Sequence, residues 1–374
     1  MSDNRGLQGL YERVIGRDLC ALCGACLSLC PYLWSFEGRI VALNQCDLTQ
    51  GRCFDYCPRT EVDIEAIHQK VFRHGYKDIE MGSFRRILMS RATDQGFRDR
   101  GQSGGVVSTF IDSALKEDII DAAVLTHRDV NHLPEGRVVR TREEVLACAG
   151  SSYVASPTLE SLNKKNWKET ERIGIVGTPC QVLALAKMRD SALEKRTPID
   201  QVSLVVGLFC TWAFSYDLFL AFLERRVGGS QIYKLDITPP PEGLLKVSTD
   251  SESLDIPLDE VRPFIRPTCG VCLDMTCELA DISVGTVEGL EGWNTVVVRT
   301  QRGEELFSLA EARGVVETRP LPEESFKHLR AASLGKKQRA LLTLKDGGEL
   351  GHGYLRLSPE LIQRILSGVT EDDA

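Results

Sequence analysis

From about residue 84 to residue 325 the chain switches repeatedly between two hydrophobic periods. Residues 87–92 read as a short strand, and Val106, Val107, Phe110, Ile111, Ala114 and Leu115 then fall on one helical stripe. Residues 119–126 return as a buried strand, 142–149 as a helix, 173–176 as a strand, 182–188 as a helix and 202–209 as a strand. Strands over 280–284 and 294–300, a helix over 304–312 and a strand at Val315 complete the series. Between them, residues 228–260, with Pro239, Pro240, Pro241 and Gly243 among alternating segments, predict an antiparallel excursion or lid. Alternation of this kind predicts a sheet with helices packed on it.

The flanks follow other patterns. Leu7, Leu10, Tyr11 and Val14 mark a short amphipathic piece. Leu33, Trp34, Phe36, Ile40 and Val41 around Glu37, Gly38 and Arg39 predict a hairpin. Ile64, Ile67 and Val71 recur at helical spacing until Gly75 and Gly82 interrupt, which places a boundary near residue 82. Residues 327–344 form a basic helical segment, and the tail after it is expected to dock on a partner. Three units follow: residues 1–82, 83–326 and 327–374.

With 374 residues, 43% of them hydrophobic, the chain can bury a sizeable core. No run of about 18 apolar residues exists, so no membrane span is expected. The formal charge of −8, spread along the chain, argues against a nucleic-acid surface, and the acidic end from Glu371 to Ala374 reads as solvated. Thirteen cysteines without a signal-peptide pattern imply a reducing, cytoplasmic setting, which includes the face of a membrane complex.

The cysteines supply the chemistry. Cys20, Cys23 and Cys26 stand two residues apart and Cys30 precedes Pro31, the bacterial ferredoxin spacing in which three thiolates hold one iron-sulfur cube and the fourth serves a neighbouring cluster. Zinc usually takes separated pairs, and disulfides between cysteines this close are hard to close. In the second run, Cys46, Cys53 and Cys57-Pro58, the spacing departs from the standard motif: Gln50 and Asp47 stand where two cysteines are expected. By the crossing rule Cys57 completes the group of Cys20, Cys23 and Cys26, leaving Cys30, Cys46 and Cys53 for a second cluster. That cluster is either a 4Fe cube with a non-cysteine or distant ligand such as Asp47, or a 3Fe-4S cluster. His68 and His74, on a polar background, read as exposed surface histidines.

Farther on, Cys180 and Cys210 each follow a predicted strand, at the carboxyl end where open α/β sheets place their ligands. Cys269 and Cys272 add a Cys-x2-Cys pair, making four thiolates, the count a 4Fe-4S cluster requires and a four-cysteine zinc site shares. Cys148 reads as packing and Cys277 as a spare. The turn Gly101-Gln102-Ser103-Gly104-Gly105 opens a helix, whose exposed N–H groups suit an anion or phosphate, with Ser103 adding a hydroxyl.

Taken together, Gly101–Gly105, Ser151-Ser152-Tyr153, Gly177-Thr178-Pro179-Cys180-Gln181, Gly207–Cys210, Arg266–Cys272, Ala280–Gly285, Gly292-Trp293 and Val298–Thr300 resemble the coenzyme F420 hydrogenase/dehydrogenase beta-subunit family over residues 84–325. With its front end the chain is similar to F420-oxidising subunits of F420 dehydrogenases and to formate dehydrogenase beta subunits. The resemblance implies a ferredoxin-like two-cluster domain fused to an α/β FAD-binding catalytic domain, a mixed α+β and α/β fold. It implies flavin contacts at Ser103, Gly104, Gly105, Ser151, Ser152, Tyr153, Gly177 and Thr178, and a 4Fe-4S cluster on Cys180, Cys210, Cys269 and Cys272. F420 is then the substrate, exchanging a hydride with FAD, and electrons pass singly to partner subunits of a hydrogenase, formate dehydrogenase, heterodisulfide-reductase-like or membrane dehydrogenase complex. Relatives also include a ferredoxin-dependent reductase of another substrate. A further expectation is a pure electron-transfer subunit with no substrate site.

Overall fold

The computed structural model describes residues 4–128, 133–164, 166–238, 242–351 and 353–369; Pro239–Pro241 and the acidic end from Glu371 lie outside them. An eight-stranded mixed sheet forms the body. Its order is Val316–Arg319, Arg86–Ala92, Leu290–Val298, Ile282–Val287, Val202–Leu208, Ile173–Gly177, Ala122–His127 and Glu135–Val139. The four strands from Ile282–Val287 to Ala122–His127 run parallel, and antiparallel strands flank them on both sides.

Side-chain alternation divides the sheet between two cores. Val124, Ile173, Ile175 and Val205 face one core, Leu125, Val176, Leu204 and Val206 the other. The second core is closed by helices Val106–Lys116, Arg142–Ala147 and Gln301–Ala312. The first core takes residues from the whole length of the chain: Cys23, Tyr56, Val62 and Ile67 from the front, Val182 and Leu185 of helix Pro179–Asp190, and Leu341, Leu355 and Ile365 from the end. That sharing presses the cysteine-rich front against the strand ends.

Several expected elements are present with shifted edges. The hairpin pairs Leu33–Phe36 with Arg39–Ala42 across Glu37 and Gly38, both at positive φ (46° and 74°), as a two-residue type I′ connection requires. The expected excursion is a three-stranded antiparallel sheet of Ile232–Ile237, Leu244–Thr249 and Ser253–Pro257 over helix Tyr216–Val227. The turn 177–181 tightens into the helix that follows: Thr178 is its N-cap, Pro179 its first residue, and Cys180 sits in its first turn. A polar helix, Gln95–Arg100, capped by Asp94, stands ahead of the glycine turn; its lack of an apolar stripe hid it.

Two expectations fail. His68 is fully buried, because Phe72, Tyr76 and Ser83 close over it; Ser83 Oγ lies 2.9 Å from its Nε2. His74 is exposed as expected. The C-terminal segment packs on its own chain: helix Glu323–Asp346 buries Lys336, Lys337, Ala340, Leu341 and Leu344, and Leu355-Arg356 pairs parallel with Val62-Asp63. Among the described residues no helix is long and apolar enough to cross a membrane.

Candidate functional site

All thirteen cysteines are free thiols. Cys20, Cys23 and Cys26 lie on a loop bent by left-handed Leu22 (φ 53°), Gly24 (φ 87°) and Ser28 (φ 58°). Glycine is required at 24, where a Cβ would meet Pro157 O at 2.3 Å. Cys57, just past helix Arg52–Asp55, turns toward the same place. The four line one hollow with Leu10, Val14, Ile15, Ile40 and Pro58. Burial and the neighbouring thiols push Cys23 and Cys26 well up, and Cys57 to about 11.

Cys30, Cys46 and Cys53 make a second group. Cys30 is exposed, and burial together with Cys30 and Cys46 pushes Cys53 to about 12. Cys53 also acts on Cys26 and feels Cys57, so this group adjoins the first. Asp47 is exposed.

The third group gathers Cys180, Cys210, Cys269 and Cys272, each of which acts on others in the set. Strands Ile173–Gly177 and Val202–Leu208 are parallel neighbours, so the residues after them emerge side by side. Thr178 Oγ1 lies 3.3 Å from Cys180 Sγ; Cys210 N–H donates to Met275 O at 2.9 Å; Ala213 N–H donates to Cys269 Sγ at 3.3 Å. Cys20 and Cys23 both feel Cys180, which joins the third group to the first.

Buried cations surround these thiols, and reading the sequence missed them. Lys336 Nζ, 5% exposed as a residue, donates to Cys210 O at 2.6 Å and Asp274 O at 2.7 Å, with Cys272, Cys210 and Cys269 raising its affinity for its proton. Arg59, 3% exposed, faces Cys180 and Cys272. Burial raises the Cys272 thiol, but Lys336 and Arg59 outweigh it and hold this thiol below its usual value. Arg266 donates to Cys20 O at 2.8 Å and Gly38 O at 3.2 Å, tying the cysteine loop to the hairpin. Arg59 follows Cys57-Pro58 and so carried a weak signal; Lys336, in a basic helix, carried none.

Elsewhere the glycine turn is assembled. Ser103 (φ 57°) and Gly105 (φ 71°) are left-handed, and Gly105 caps helix Val106–Lys116. A Cβ on Gly104 would lie 2.7 Å from Asn294 Oδ1. Gln102, unassigned from the sequence, is the hub: its Nε2 donates to Tyr153 OH at 2.5 Å and Asp236 Oδ1 at 2.7 Å, and Ser151 Oγ donates to its Oε1. Ile237 N–H also donates to Tyr153 OH, at 3.0 Å, so the three-stranded sheet is fastened to the turn. Ser152 bonds locally to Val154. Gly177 and Thr178 lie instead beside Gln181 and Cys180. Cys148 is the half-buried C-cap of helix Arg142–Ala147, and Cys277 is buried with Sγ 3.7 Å from Gly177 O.

Among the described residues no three His, Cys, Asp or Glu side chains converge closely enough to hold a single metal ion.

Comparison with known proteins places this arrangement. Two family models for the coenzyme F420 hydrogenase/dehydrogenase beta subunit match: the N-terminal model over residues 87–163 and the C-terminal model over residues 170–324. Coenzyme F420 hydrogenase subunit beta of Methanothermobacter thermautotrophicus is 31% identical over 277 residues, 72% of this chain and 98% of that protein. Coenzyme F420-dependent sulfite reductase of Methanocaldococcus jannaschii is 29% identical over 326 residues, 81% of this chain; the chain spans only 48% of that relative. Among solved structures, a chain of the F420-reducing NiFe hydrogenase complex of Methanosarcina barkeri is 29% identical with a TM-score of 0.68, over 76% of this chain and 99% of that one. The chain therefore belongs to the coenzyme F420 hydrogenase/dehydrogenase beta-subunit family.

Proposed function

We propose that this chain is the F420-linked flavoprotein subunit of a redox complex, taking a hydride from reduced F420, or returning one, and trading single electrons with a partner. The carrying observation is the order of contact among eleven cysteines. The exposed Cys30 group touches the Cys20 group, which touches the Cys180 group, in a chain whose relatives are named for F420.

Cys20, Cys23, Cys26 and Cys57 hold one 4Fe-4S cluster in this reading, and Cys180, Cys210, Cys269 and Cys272 another. Cys30, Cys46 and Cys53 offer three thiolates, suiting a 3Fe-4S cluster or a cube with one non-cysteine ligand. The residues fit such groups. A zinc ion would draw four sulfurs to about 2.3 Å of one point, whereas these thiols ring a hollow. Moreover, Arg59 and Lys336 are buried cations, and a buried cation needs an anion; a cluster carrying four thiolates is one.

Ser103, Gly104, Gly105, Ser151, Ser152, Tyr153, Gly177 and Thr178 are assigned to the flavin, with Gln102 holding the first and second of these segments together. When bound, FAD supplies hydride exchange with F420 and one-electron exchange with the clusters. The chain's own part is to fix the thiols, present the N–H groups at the helix start, and keep water out. Residues 1–82 act as the cluster domain, 83–326 as the catalytic domain and 327–374 as a helical brace. The partner is a hydrogenase, formate dehydrogenase, heterodisulfide-reductase-like or membrane dehydrogenase subunit in the cytoplasm.

The test is anaerobic. Purified protein with measured iron and flavin is mixed with reduced F420 and a viologen, and deazaflavin absorbance is followed. Turnover that disappears when FAD is stripped is the expected result. No turnover from fully loaded protein would remove F420 as the substrate and leave a relay role.

A further inference from the structure

Arg59 stands between two of the cysteine groups and is held from both sides. Its Nη1 donates to Pro58 O at 3.2 Å, next to Cys57; its Nε donates to Thr268 Oγ1 at 2.9 Å and its Nη2 to Thr268 O at 3.4 Å, next to Cys269. The guanidinium lies over the Tyr354 ring, 5.2 Å from its centroid. It shares the lining of one hollow with Cys180 and Cys272. The groups that act on it most strongly are Tyr354, Cys272 and Cys180, none of them a carboxylate. In the other direction its charge reaches Cys20, Cys57, Cys180 and Cys272, two thiols of each group.

A guanidinium has five N–H donors in a rigid fork. The three bonds above use one on each nitrogen, so two remain for the sulfurs that the fork faces. A buried charge without a counter-ion costs several kcal/mol, and here the only anions offered on the fork's open side are thiolates.

We propose that Arg59 is a positioning residue shared by the two four-cysteine groups: it locks them together and raises the reduction potential of both, most strongly at Cys180, Cys210, Cys269 and Cys272. The assignment rests on the cluster reading above. Each electron added makes a cluster more negative, and a fixed cation at low dielectric favours that form. The Cys30 group lies outside its reach.

The experiment is an EPR-monitored redox titration of the full chain, purified anaerobically with iron counted, comparing wild type with Arg59→Gln and Arg59→Lys. Glutamine removes the charge. Lysine keeps it but, shorter and without the fork, draws it off the sulfurs. At fixed potential the Cys180-group cluster of Arg59→Gln is expected to lose at least tenfold in its reduced-to-oxidised ratio, about 59 mV for a one-electron couple. The Cys20-group cluster falls by less, the Cys30-group cluster holds, and Arg59→Lys lies between.

Wild-type potentials in Arg59→Gln, or an equal shift at the Cys30 group, overturn the assignment. If the glutamine variant does not load iron, the lysine variant decides: a potential below wild type at the Cys180 group is expected, and a wild-type value overturns. A wild-type chain that takes up no iron defeats the cluster reading itself, whereas loaded proteins of equal potential defeat only the role of Arg59.

Discussion

Gly177 and Gly207 stand opposite each other in adjacent parallel strands, so the chain leaves the sheet twice at one level and brings Cys180 and Cys210 to one place. Gly207 has no room for a side chain: a Cβ would meet Cys277 Cβ and Sγ at 2.6 Å and Ala280 Cβ at 2.9 Å. Gly207→Ala is therefore expected to destabilise the fold by about 1–3 kcal/mol and to lower the iron held at the Cys180 group. Denaturant unfolding and iron per chain measure the two effects; a variant with native values in both contradicts the packing described.

The grouping of the thiols predicts which double variants add. Cys20→Ser and Cys57→Ser remove ligands from one group, so each loses about four iron atoms and the pair together loses no more. Cys20→Ser combined with Cys210→Ser removes two clusters and about twice the iron. Iron analysis and EPR spin counting decide; additive loss from the Cys20 and Cys57 changes would break the crossing assignment.

Lys336 and Lys337 are neighbours with different tasks. Lys337 Nζ pairs with Glu278, at 1% and 6% side-chain exposure, and Tyr76 OH donates to the same carboxylate at 2.5 Å. Lys337→Met leaves a buried carboxylate without its cation and is expected to cost about 3–5 kcal/mol; adding Glu278→Gln restores much of it. Lys336→Met instead alters the cluster at Cys210 and Cys272. Chemical denaturation of the single and double variants tests the first claim, and the double variant must be the more stable.

His68 supplies a pH dependence. Burial holds its pKa below the usual 6.5, despite the nearby His74 carbonyl. The unfolded chain thus takes up a proton at a higher pH than the folded one. Its stabilisation is complete above about pH 6.5 and is lost as pH falls from there through the folded value. Melting temperature is expected to decline over that window, and to decline less in His68→Gln, which starts from a lower value. Parallel curves for the two proteins would exclude His68 as the source.

What could be read without coordinates was local. The two cysteine runs, the Cys269 and Cys272 pair, and the glycine turn are each written in a few consecutive residues, and strand ends placed Cys180 and Cys210 in one sheet. What stayed hidden depended on distant partners. Lys336 looks like solvated surface until Cys210 O and Asp274 O reach it. His68 looks exposed until Ser83 returns to it. Gln102 gained its role only when Tyr153 and Asp236 arrived.

The long helix Glu323–Asp346 also imposes an order on synthesis. Chains fold from the front as they leave the ribosome, and every cysteine of the Cys20 group is made before residue 58. The counter-charge of the Cys180 group comes 126 residues after Cys210, on a helix that must then dock against the segment carrying Cys269. A nascent chain thus exposes its last four thiols long before their cation exists. Iron delivered to that group has to wait for the finished polypeptide, so one protein carries an early centre and a late one, and a truncation in the final quarter would spare the first while orphaning the second.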